Sequence, residues 1–202
     1  AAVSDLSGQS VSEFGRVLLT EGRDFNRGFS MAPDASFFVV SVKSGDGYDL
    51  SLRDIFTGEE IQRLTTTGAS NGALNMYPDV SPDGLLVAFS AQGNAEANGD
   101  LYVIRIDGTG MAKVTSSPDS SELRPSWSPD GNYILWSSSR FGFKDESPLV
   151  INQPQPYAEL FIMNADGSNQ RPLTDNHYEE GTPAWLPVEL VKPRSDEGDP
   201  HG

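Results

Sequence analysis

Short apolar runs recur along the chain between turn residues, and no segment carries the 3.6-residue spacing of an amphipathic helix. The clearest runs are Leu85–Ser90 and Tyr133–Ser137, and each lies just after the turn sequence Pro-Asp-Gly. In such a turn Pro presets φ at the first corner, Asp bonds back to its own backbone, and Gly tolerates a positive φ. Continuous apolar runs of this length are typical of strands buried on both faces of a sheet. The pattern therefore predicts an all-β chain of short strands joined by tight turns.

The turns belong to a repeat with a period of about 50 residues. Pro-Asp pairs begin 49 and 47 residues apart, at Pro33, Pro82 and Pro129. A second turn and an apolar-Thr pair follow, as at Asp107-Gly108 with Val114-Thr115 and at Asp166-Gly167 with Leu173-Thr174. Each unit therefore predicts four strands, A to D, in the order A-turn-B-loop-C-turn-D. A four-stranded antiparallel sheet that copies of itself cover on both faces is a blade of a β-propeller.

The most regular unit begins Pro125-Ser126-Trp127-Ser128-Pro129-Asp130-Gly131 and ends with the Asp-Gly and Leu-Thr pairs. It resembles the repeat of TolB-type, WD-like β-propellers, and also the propeller domains of prolyl oligopeptidase relatives. The resemblance covers roughly residues 29–186. It implies a propeller that ordinarily has six blades, a periplasmic or otherwise exported location, and protein binding as the commonest role.

The chain carries three full units and two isolated strand-like segments. The full blades are predicted over about 29–65, 77–115 and 124–174. Gly15–Thr20 resembles a lone D strand, and Thr182–Leu186 resembles a lone A strand. We therefore predict an N-terminal extension over 1–15, a TolB-like partial β-propeller over 16–186 and a C-terminal tail over 187–202.

Three arrangements of these blades are compatible with the repeat: a four-bladed ring, an open arc, and a fragment of a longer protein. The open arc, or incomplete propeller, is favoured. In an arc the outer faces of the end blades are apolar and uncovered, and exposed apolar faces of that size usually mark interfaces.

Acidic residues outnumber basic ones by 29 to 14, which gives a formal net charge of −15. Such a chain repels phosphate groups, so we expect no nucleic-acid binding and no docking on anionic lipid. The chain has no cysteine, which excludes disulfides and thiolate metal sites. No apolar run approaches the length that spans a bilayer, so we expect no direct membrane insertion. The start at Ala1, without Met, fits a processed, exported chain or a shortened one.

Residues with catalytic chemistry are few. Gly68–Gly72 matches the G-x-S-x-G nucleophile string, but this string lies in a D–A loop and the nucleophile elbow needs a strand and a helix around it. The two histidines are His177, in a polar loop, and His201, near the end. We therefore predict no enzyme, no catalytic residue, no cofactor and no metal site. Asn164–Asn169 resembles part of a calcium loop, but its Asp-Gly pair is also typical of a hairpin turn. Calcium therefore stays an alternative partner.

The loop between strands B and C of the third unit is the longest, from Ser139 to Tyr157. Arginine, aromatic and proline side chains in a loop of this length suggest a docking element. A loop that folds over its own blade would have a similar composition. The candidate protein-binding residues are Arg140, Phe141, Phe143, Lys144, Pro148 and Tyr157.

These features predict a non-enzymatic protein-binding or scaffolding module, an exported structural subunit of a larger envelope or membrane-associated complex. One alternative is the propeller domain of a peptidase or polysaccharide-degrading enzyme, separated from its catalytic part. Another is a carbohydrate or small-ligand binder that uses Trp127, Trp136 and Trp185 as stacking surfaces. These three side chains lie at strand positions typical of a core, which weighs against the last idea.

Overall fold

The computed structural model describes residues 28–93, 98–141, 158–176 and 181–186. These residues form twelve strands and one short helix, α1 (Thr67–Asn71). The first repeat contributes β1 (Phe29–Met31), β2 (Phe37–Ser44), β3 (Gly47–Asp54) and β4 (Glu60–Arg63). The second contributes β5 (Leu74–Val80), β6 (Leu86–Gln92), β7 (Asp100–Arg105) and β8 (Ala112–Lys113). The third contributes β9 (Glu122–Trp127), β10 (Tyr133–Ser138), β11 (Glu159–Asn164) and β12 (Arg171–Pro172).

Within each repeat, the four strands pair antiparallel in chain order and form a meander. The first two meanders also touch through one parallel bridge, between Tyr48 and Leu74, so they share a sheet. Strands β9–β12 form a second sheet. The described residues are nearly all in strands and turns, as predicted, apart from the one short helix.

The turn between the first two strands of each repeat has the predicted chemistry. The Asp83 carboxylate accepts the backbone N–H of Leu85 at 3.0 Å, and Asp130 accepts that of Asn132 at 3.0 Å. Gly84 and Gly131 adopt φ of 73° and 71° at the corner that requires the left-handed region. The first repeat has Ala35 at this corner, with φ 57°, and therefore holds a side chain in a conformation that glycine adopts more easily.

A threonine two residues after each fourth strand ties the chain there to the third strand of its blade. The Thr65 hydroxyl accepts the backbone N–H of Leu50 at 2.9 Å and donates to the Asp49 carboxylate at 2.9 Å. The contact to the third strand recurs at Thr115 with Leu101 (2.8 Å) and at Thr174 with Leu160 (2.9 Å). The threonine of the apolar-Thr pair therefore fixes the chain that follows each fourth strand to the third strand of the same blade.

The core lies between successive meanders, which pack face to face. One cluster joins the first and second meanders and contains Val39, Leu50, Leu52, Leu64, Val80, Val87, Phe89 and Ile104. The next joins the second and third meanders and contains Ala88, Leu101, Trp127, Ile134, Trp136, Phe161 and Met163. Stacked sheets of this kind are the packing expected of neighbouring propeller blades.

The outer face of the first meander is apolar, as predicted, but it is not uncovered. Along β2, Phe38, Val40 and Val42 alternate with Val39 and therefore lie on the face opposite the second meander. None of these three, nor Ile55 beside them, is more than 6% exposed. The expectation that this face waits for a partner is wrong, because these side chains are already buried in the chain alone.

Helix α1 departs from the expectation of a chain without helices. The residue that precedes the helix, Thr66, makes no side-chain cap. The Asp49 carboxylate on β3 accepts the backbone N–H groups of Gly68 (2.8 Å) and Ala69 (3.0 Å) instead. A remote carboxylate thus satisfies donors that a local cap would otherwise satisfy, so no capping signal is visible in the sequence. No helix in the described part of the chain is long and apolar enough to cross a membrane.

Candidate functional site

A cleft of about 320 Å³ lies where the first strands of successive repeats meet. Its walls come from matching positions of these strands, four and five residues before the Pro-Asp turn, and from the residues beside them. The described residues that line it are Gly28, Phe29, Tyr77, Pro78, Asp79, Arg124, Pro125, Ser126, Thr182 and Pro183. The repeat therefore builds the cleft, whereas the side chains that fill each matching position differ.

Two β-bulges shape the walls of the cleft. Tyr77 and Pro78 of β5 together face one residue of β6, and Arg124 and Pro125 of β9 together face one residue of β10. Proline has no N–H for a sheet ladder and is therefore confined to edges and bulges. A bulge bends the strand and redirects the side chain beside it. The Tyr-Pro and Arg-Pro pairs are thus the local sequence cause of the cleft.

The residue before each proline lies in the left-handed region, where large side chains are rare. The φ angle is 52° at Tyr77 and 55° at Arg124, and the matching residue of the first repeat, Gly28, has φ 97°. A positive φ therefore occurs three times at matching positions around the cleft. Only the first repeat uses the residue type that adopts it without strain.

Gly28, Tyr77 and Arg124 form a stack across this surface. A side chain at Gly28 would meet Tyr77, because its Cβ would lie 3.1 Å from Tyr77 Cα and 3.3 Å from Cδ1 of the ring. On the other side, Cζ of Arg124 lies 5.2 Å from the centre of the Tyr77 ring, in cation–π contact. The small residue in the first repeat thus leaves room for the ring, and the ring supports the guanidinium.

Asp79 holds the strands of the cleft together. Its carboxylate accepts the backbone N–H of Trp127 at 2.7 Å and the hydroxyl of Ser30 at 3.1 Å, so it contacts the repeats on both sides of its own. Burial raises the pKa of Asp79, and the Trp127 and Ser30 hydrogen bonds oppose this rise. The group is therefore a structural acceptor, already occupied by two donors.

The long third-repeat loop is described only at its start. Arg140 is held inside the fold: its guanidinium donates to Glu122 at 3.0 Å and to Gln170 at 2.8 Å and lies over the Trp136 and Phe161 rings. Phe141 is exposed on one side and packs against Phe161 with ring centres 5.5 Å apart. The other candidates, Phe143, Lys144, Pro148 and Tyr157, lie outside the described residues.

The calcium-like segment and the G-x-S-x-G string both have a structural explanation. Asp166 accepts the backbone N–H and hydroxyl of Ser168 at 2.9 and 2.6 Å, so the calcium-like segment is a closed hairpin turn. Within the described ranges, no group of three His, Cys, Asp or Glu side chains could hold a metal ion. His177 and His201 lie outside those ranges. The G-x-S-x-G string spans α1, where the Asp49 contacts described above explain its conformation.

The tryptophans do not form a stacking surface for sugars. Trp127 is 6% exposed, and Trp136 is fully buried with its indole N–H donated to Glu122. Trp185 is half-buried and donates to the Ser126 carbonyl at 3.1 Å, which places the last segment against the third repeat. Two of the three proposed stacking residues are therefore core residues.

Sequence reasoning did not predict the cleft residues Gly28, Tyr77 and Arg124. The signal lies in the position five residues before each Pro-Asp turn, which holds Gly28, Tyr77 and Arg124 in the three full units. In the second and third units this position holds a large aromatic or basic residue directly before Pro, as Tyr77-Pro78 and Arg124-Pro125. Its left-handed conformation could not be read from the sequence.

Comparison with curated proteins finds relatives that match the repeat. The chain is 35% identical over 119 residues to the TolB homolog of Chlorobaculum tepidum, covering 59% of the chain and 22% of the relative. It is 25% identical over 160 residues to an uncharacterised protein of Agrobacterium fabrum, covering 77% and 50%. It is 30% identical over 115 residues to an uncharacterised peptidase of Bacillus subtilis, covering 54% and 15%. The chain thus spans half or less of the length of these relatives. No family profile matches it.

Two solved structures share the fold. One, described as a TolB of Agrobacterium tumefaciens, superposes with a TM-score of 0.58 at 24% identity, over 76% of this chain and 51% of that one. The other, TolB of Acinetobacter baumannii, has a TM-score of 0.54 at 15% identity, over 78% and 34%. At these identities the likeness concerns the fold alone, and that fold is a β-propeller.

Proposed function

Because this chain carries TolB-type β-propeller repeats, in its sequence as in its fold, we propose that it is a non-enzymatic protein-binding module. The cleft between the first strands is its docking site. The location implied by the resemblance is periplasmic or otherwise exported, and the module serves there as a structural subunit of a larger envelope or membrane-associated complex. Its blades form part of a propeller, arranged as an open arc.

One observation carries the proposal: Tyr77 and Arg124 are both held at positive φ and directed into the cleft. The left-handed region costs a residue with a side chain about 1–2 kcal/mol. Strain of this kind persists where the surrounding structure enforces it, and it is concentrated at functional sites. Tyrosine and arginine are also the residue types that dominate binding energy at protein interfaces. The cleft therefore combines strained positions with interface chemistry.

The rest of the lining fits a docking surface. Phe29 is largely exposed at the edge of the cleft, and Pro78, Pro125 and Pro183 give rigid apolar walls. The titratable carboxylate, Asp79, is engaged by Trp127 and Ser30. A rigid, mostly apolar surface with a few fixed polar groups suits an extended protein segment, because the surface itself loses little conformational freedom when the segment binds.

The long loop supplies a second contact region in this proposal. Phe141 presents an exposed aromatic side chain at its start. Phe143, Lys144, Pro148 and Tyr157 remain predicted contacts. Arg140 belongs to the support of the loop, since its guanidinium is engaged by Glu122 and Gln170.

The test is capture of a partner through the cleft from the envelope fraction of the source cells. A photo-reactive amino acid at Ser126, which lines the cleft, is expected to give a discrete cross-linked protein. The same label at Thr109, in an exposed turn away from the cleft, serves as the control. The Tyr77→Gly variant should lose the cross-link while its far-UV spectrum and unfolding midpoint stay unchanged. Equal capture by Ser126, Thr109 and Tyr77→Gly proteins would contradict docking at the cleft.

The relative in Bacillus subtilis favours a second candidate, the propeller domain of a peptidase. The match is 30% identical but covers 15% of that protein. The sequence of the full gene distinguishes this candidate from the first. A reading frame that continues into an α/β segment with Ser, Asp and His in hydrolase order, together with peptidase activity of the full product, would establish this candidate in place of the first.

A further inference from the structure

We infer that the cleft recognises a carboxylate of its partner, an Asp or Glu side chain in an extended segment, through the guanidinium of Arg124. This inference rests on the proposed function, because it names the chemistry that the docking site selects. Arg124 is exposed, Cζ of its guanidinium lies 5.2 Å from the centre of the Tyr77 ring, and its backbone N–H donates to the Ser90 hydroxyl at 3.2 Å.

The guanidinium of Arg124 makes no ion pair with any described residue. Four other cations of the described chain do form such pairs: Arg63 with Glu60, Arg105 with Asp107, Lys113 with Asp100 and Arg140 with Glu122. In a chain with 29 acidic and 14 basic residues, an arginine normally finds a carboxylate nearby. The Tyr77 ring holds Arg124 instead, and its hydrogen-bond donors stay available to a ligand.

The acid in the same cleft does not neutralise Arg124. The Asp79 oxygens accept the Trp127 N–H and the Ser30 hydroxyl from the neighbouring repeats. Each oxygen of Asp79 therefore already accepts one hydrogen bond from a neighbouring strand. A planar guanidinium with several N–H donors matches a carboxylate in bidentate geometry, which a lysine ammonium cannot do.

Three of the residues that line the cleft have no backbone N–H that could bind an anion. Pro78 and Pro125 occupy matching positions in β5 and β9, Pro183 lies in the last described segment, and none of the three has an N–H to donate. The strongest donor toward the cleft is therefore the Arg124 side chain. A polyanion such as a nucleic acid is disfavoured by the net charge of −15, whereas a single carboxylate in an otherwise neutral or basic segment is not.

The backbone conformation provides a variant that separates binding from folding. Arg124 has φ 55°, and the first repeat has glycine at the matching position, Gly28. Arg124→Gly therefore removes the side chain and relieves the backbone at once, so the protein should be at least as resistant to urea as the wild type. Arg124→Lys keeps the charge and loses the planar fork.

The experiment selects binding peptides from a random displayed library on the immobilised full chain. Each peptide that Tyr77→Gly fails to bind is resynthesised with its Asp and Glu residues changed singly to Asn and Gln. Affinity is measured by fluorescence anisotropy on the wild type, Arg124→Gly and Arg124→Lys.

We expect one acidic position whose amide form binds the wild type at least about tenfold more weakly, a size typical of charge-assisted pairs. The same peptide change should alter binding to Arg124→Gly less than about twofold, and Arg124→Lys should recover only part of the affinity. If cleft-binding peptides are found but neither the amide changes nor Arg124→Gly weakens them, the carboxylate inference is overturned and the docking site stands. If no selected peptide depends on Tyr77, the inference and the proposed docking site fail together.

Discussion

The Asp79 carboxylate accepts the backbone N–H of Trp127 at 2.7 Å, across the boundary between the second and third repeats. The same carboxylate accepts the Ser30 hydroxyl of the first repeat at 3.1 Å. One side chain therefore links three successive first strands at the point where they form the cleft. This contact explains why the walls of the cleft keep their spacing although the strands themselves do not pair with one another.

Removal of the Asp79 carboxylate should destabilise the protein. Asp79→Ala leaves the Trp127 N–H and the Ser30 hydroxyl without their acceptor, which costs about 1–3 kcal/mol in the free energy of unfolding. Asp79→Asn keeps one acceptor oxygen and should cost less. Urea unfolding followed by tryptophan fluorescence measures both changes. Asp119→Ala, at an exposed turn position, is the control and should stay within about 0.5 kcal/mol of the wild type. An Asp79→Ala protein as stable as that control would contradict the linking role.

Acidification should weaken the fold through the turn aspartates. The Ser81 hydroxyl and the Leu85 N–H hold the pKa of Asp83 below its ordinary value, and the corresponding turn contacts lower the pKa of Asp34, Asp54, Asp107, Asp130 and Asp166. Because these pKa values are lower in the folded state, their contribution to stability is present above the unfolded value and is lost as the pH falls through the folded value. The urea midpoint should therefore decrease steadily as the pH drops below about 4. Asp83→Asn should make that decrease shallower, and an unchanged slope would refute the assignment.

Asp79 should oppose this trend in one pH range. Burial raises its pKa in the folded state, so the unfolded chain loses the Asp79 proton first as the pH increases. Ionisation of Asp79 therefore reduces stability between the unfolded and the folded pKa, and this reduction is absent in Asp79→Asn. As the pH rises through that range, the wild type should therefore lose unfolding free energy relative to Asp79→Asn. Chemical-shift titration of the Asp79 carboxyl gives the folded pKa directly.

The first A–B turn should accept a stabilising substitution. Ala35 has φ 57° where the second repeat has Gly84 with φ 73°. Ala35→Gly should therefore raise the free energy of unfolding by up to about 1 kcal/mol, because the left-handed region is costly for a residue with Cβ. The reverse change, Gly84→Ala, is the matched control and should destabilise by about 1–2 kcal/mol. A Cβ at Gly84 has nothing nearer than Pro33 Cδ at 4.0 Å, so a loss there reports backbone strain and not a clash.

Variants at Arg140 and Phe141 should distinguish a residue that supports the loop from one that contacts a partner. Glu122 is fully buried and pairs with the Arg140 guanidinium at 3.0 Å. Arg140→Ala leaves this buried carboxylate without its cation and should lower the free energy of unfolding by about 3–5 kcal/mol. The double variant Arg140→Ala with Glu122→Gln should recover part of the lost free energy of unfolding, because the buried charge is then removed as well. Phe141→Ala, at the exposed neighbouring residue, should change stability by less than about 1 kcal/mol and is the variant that reports docking. If Arg140→Ala is as stable as Phe141→Ala, Arg140 does not anchor the loop.

The repeat could be predicted from the sequence because its turns use residues whose backbone preferences are local. Pro129, Asp130 and Gly131 determine a tight turn wherever they occur, and the apolar run after them requires burial on both faces. The turn and the threonine contacts therefore follow from neighbours within a few residues. The cleft could not be predicted in the same way, since Tyr77 and Arg124 come together only after two repeats have packed.

The outer face of the first repeat and the conformation of α1 also depend on tertiary contacts that the local sequence does not predict. The alternation of Val39 with Phe38 and Val40 predicts two apolar faces, but it does not say what covers each of them. Asp49 stabilises the first turn of α1 from a strand that lies about twenty residues earlier in the chain. Contacts of this kind depend on the register of distant strands, which local propensity does not encode.

The amino-acid order alone therefore specified the all-β class, the period of the blade and the residues of its turns. Pairing of strands within a blade decided the strained positions at Tyr77 and Arg124 and the engagement of Arg140, and packing of one blade on the next decided the three-strand contact of Asp79. The physical reason is that turn conformation and burial pattern are properties of short segments, whereas a cleft, a stack or a buried ion pair is a property of surfaces that meet only in the folded chain.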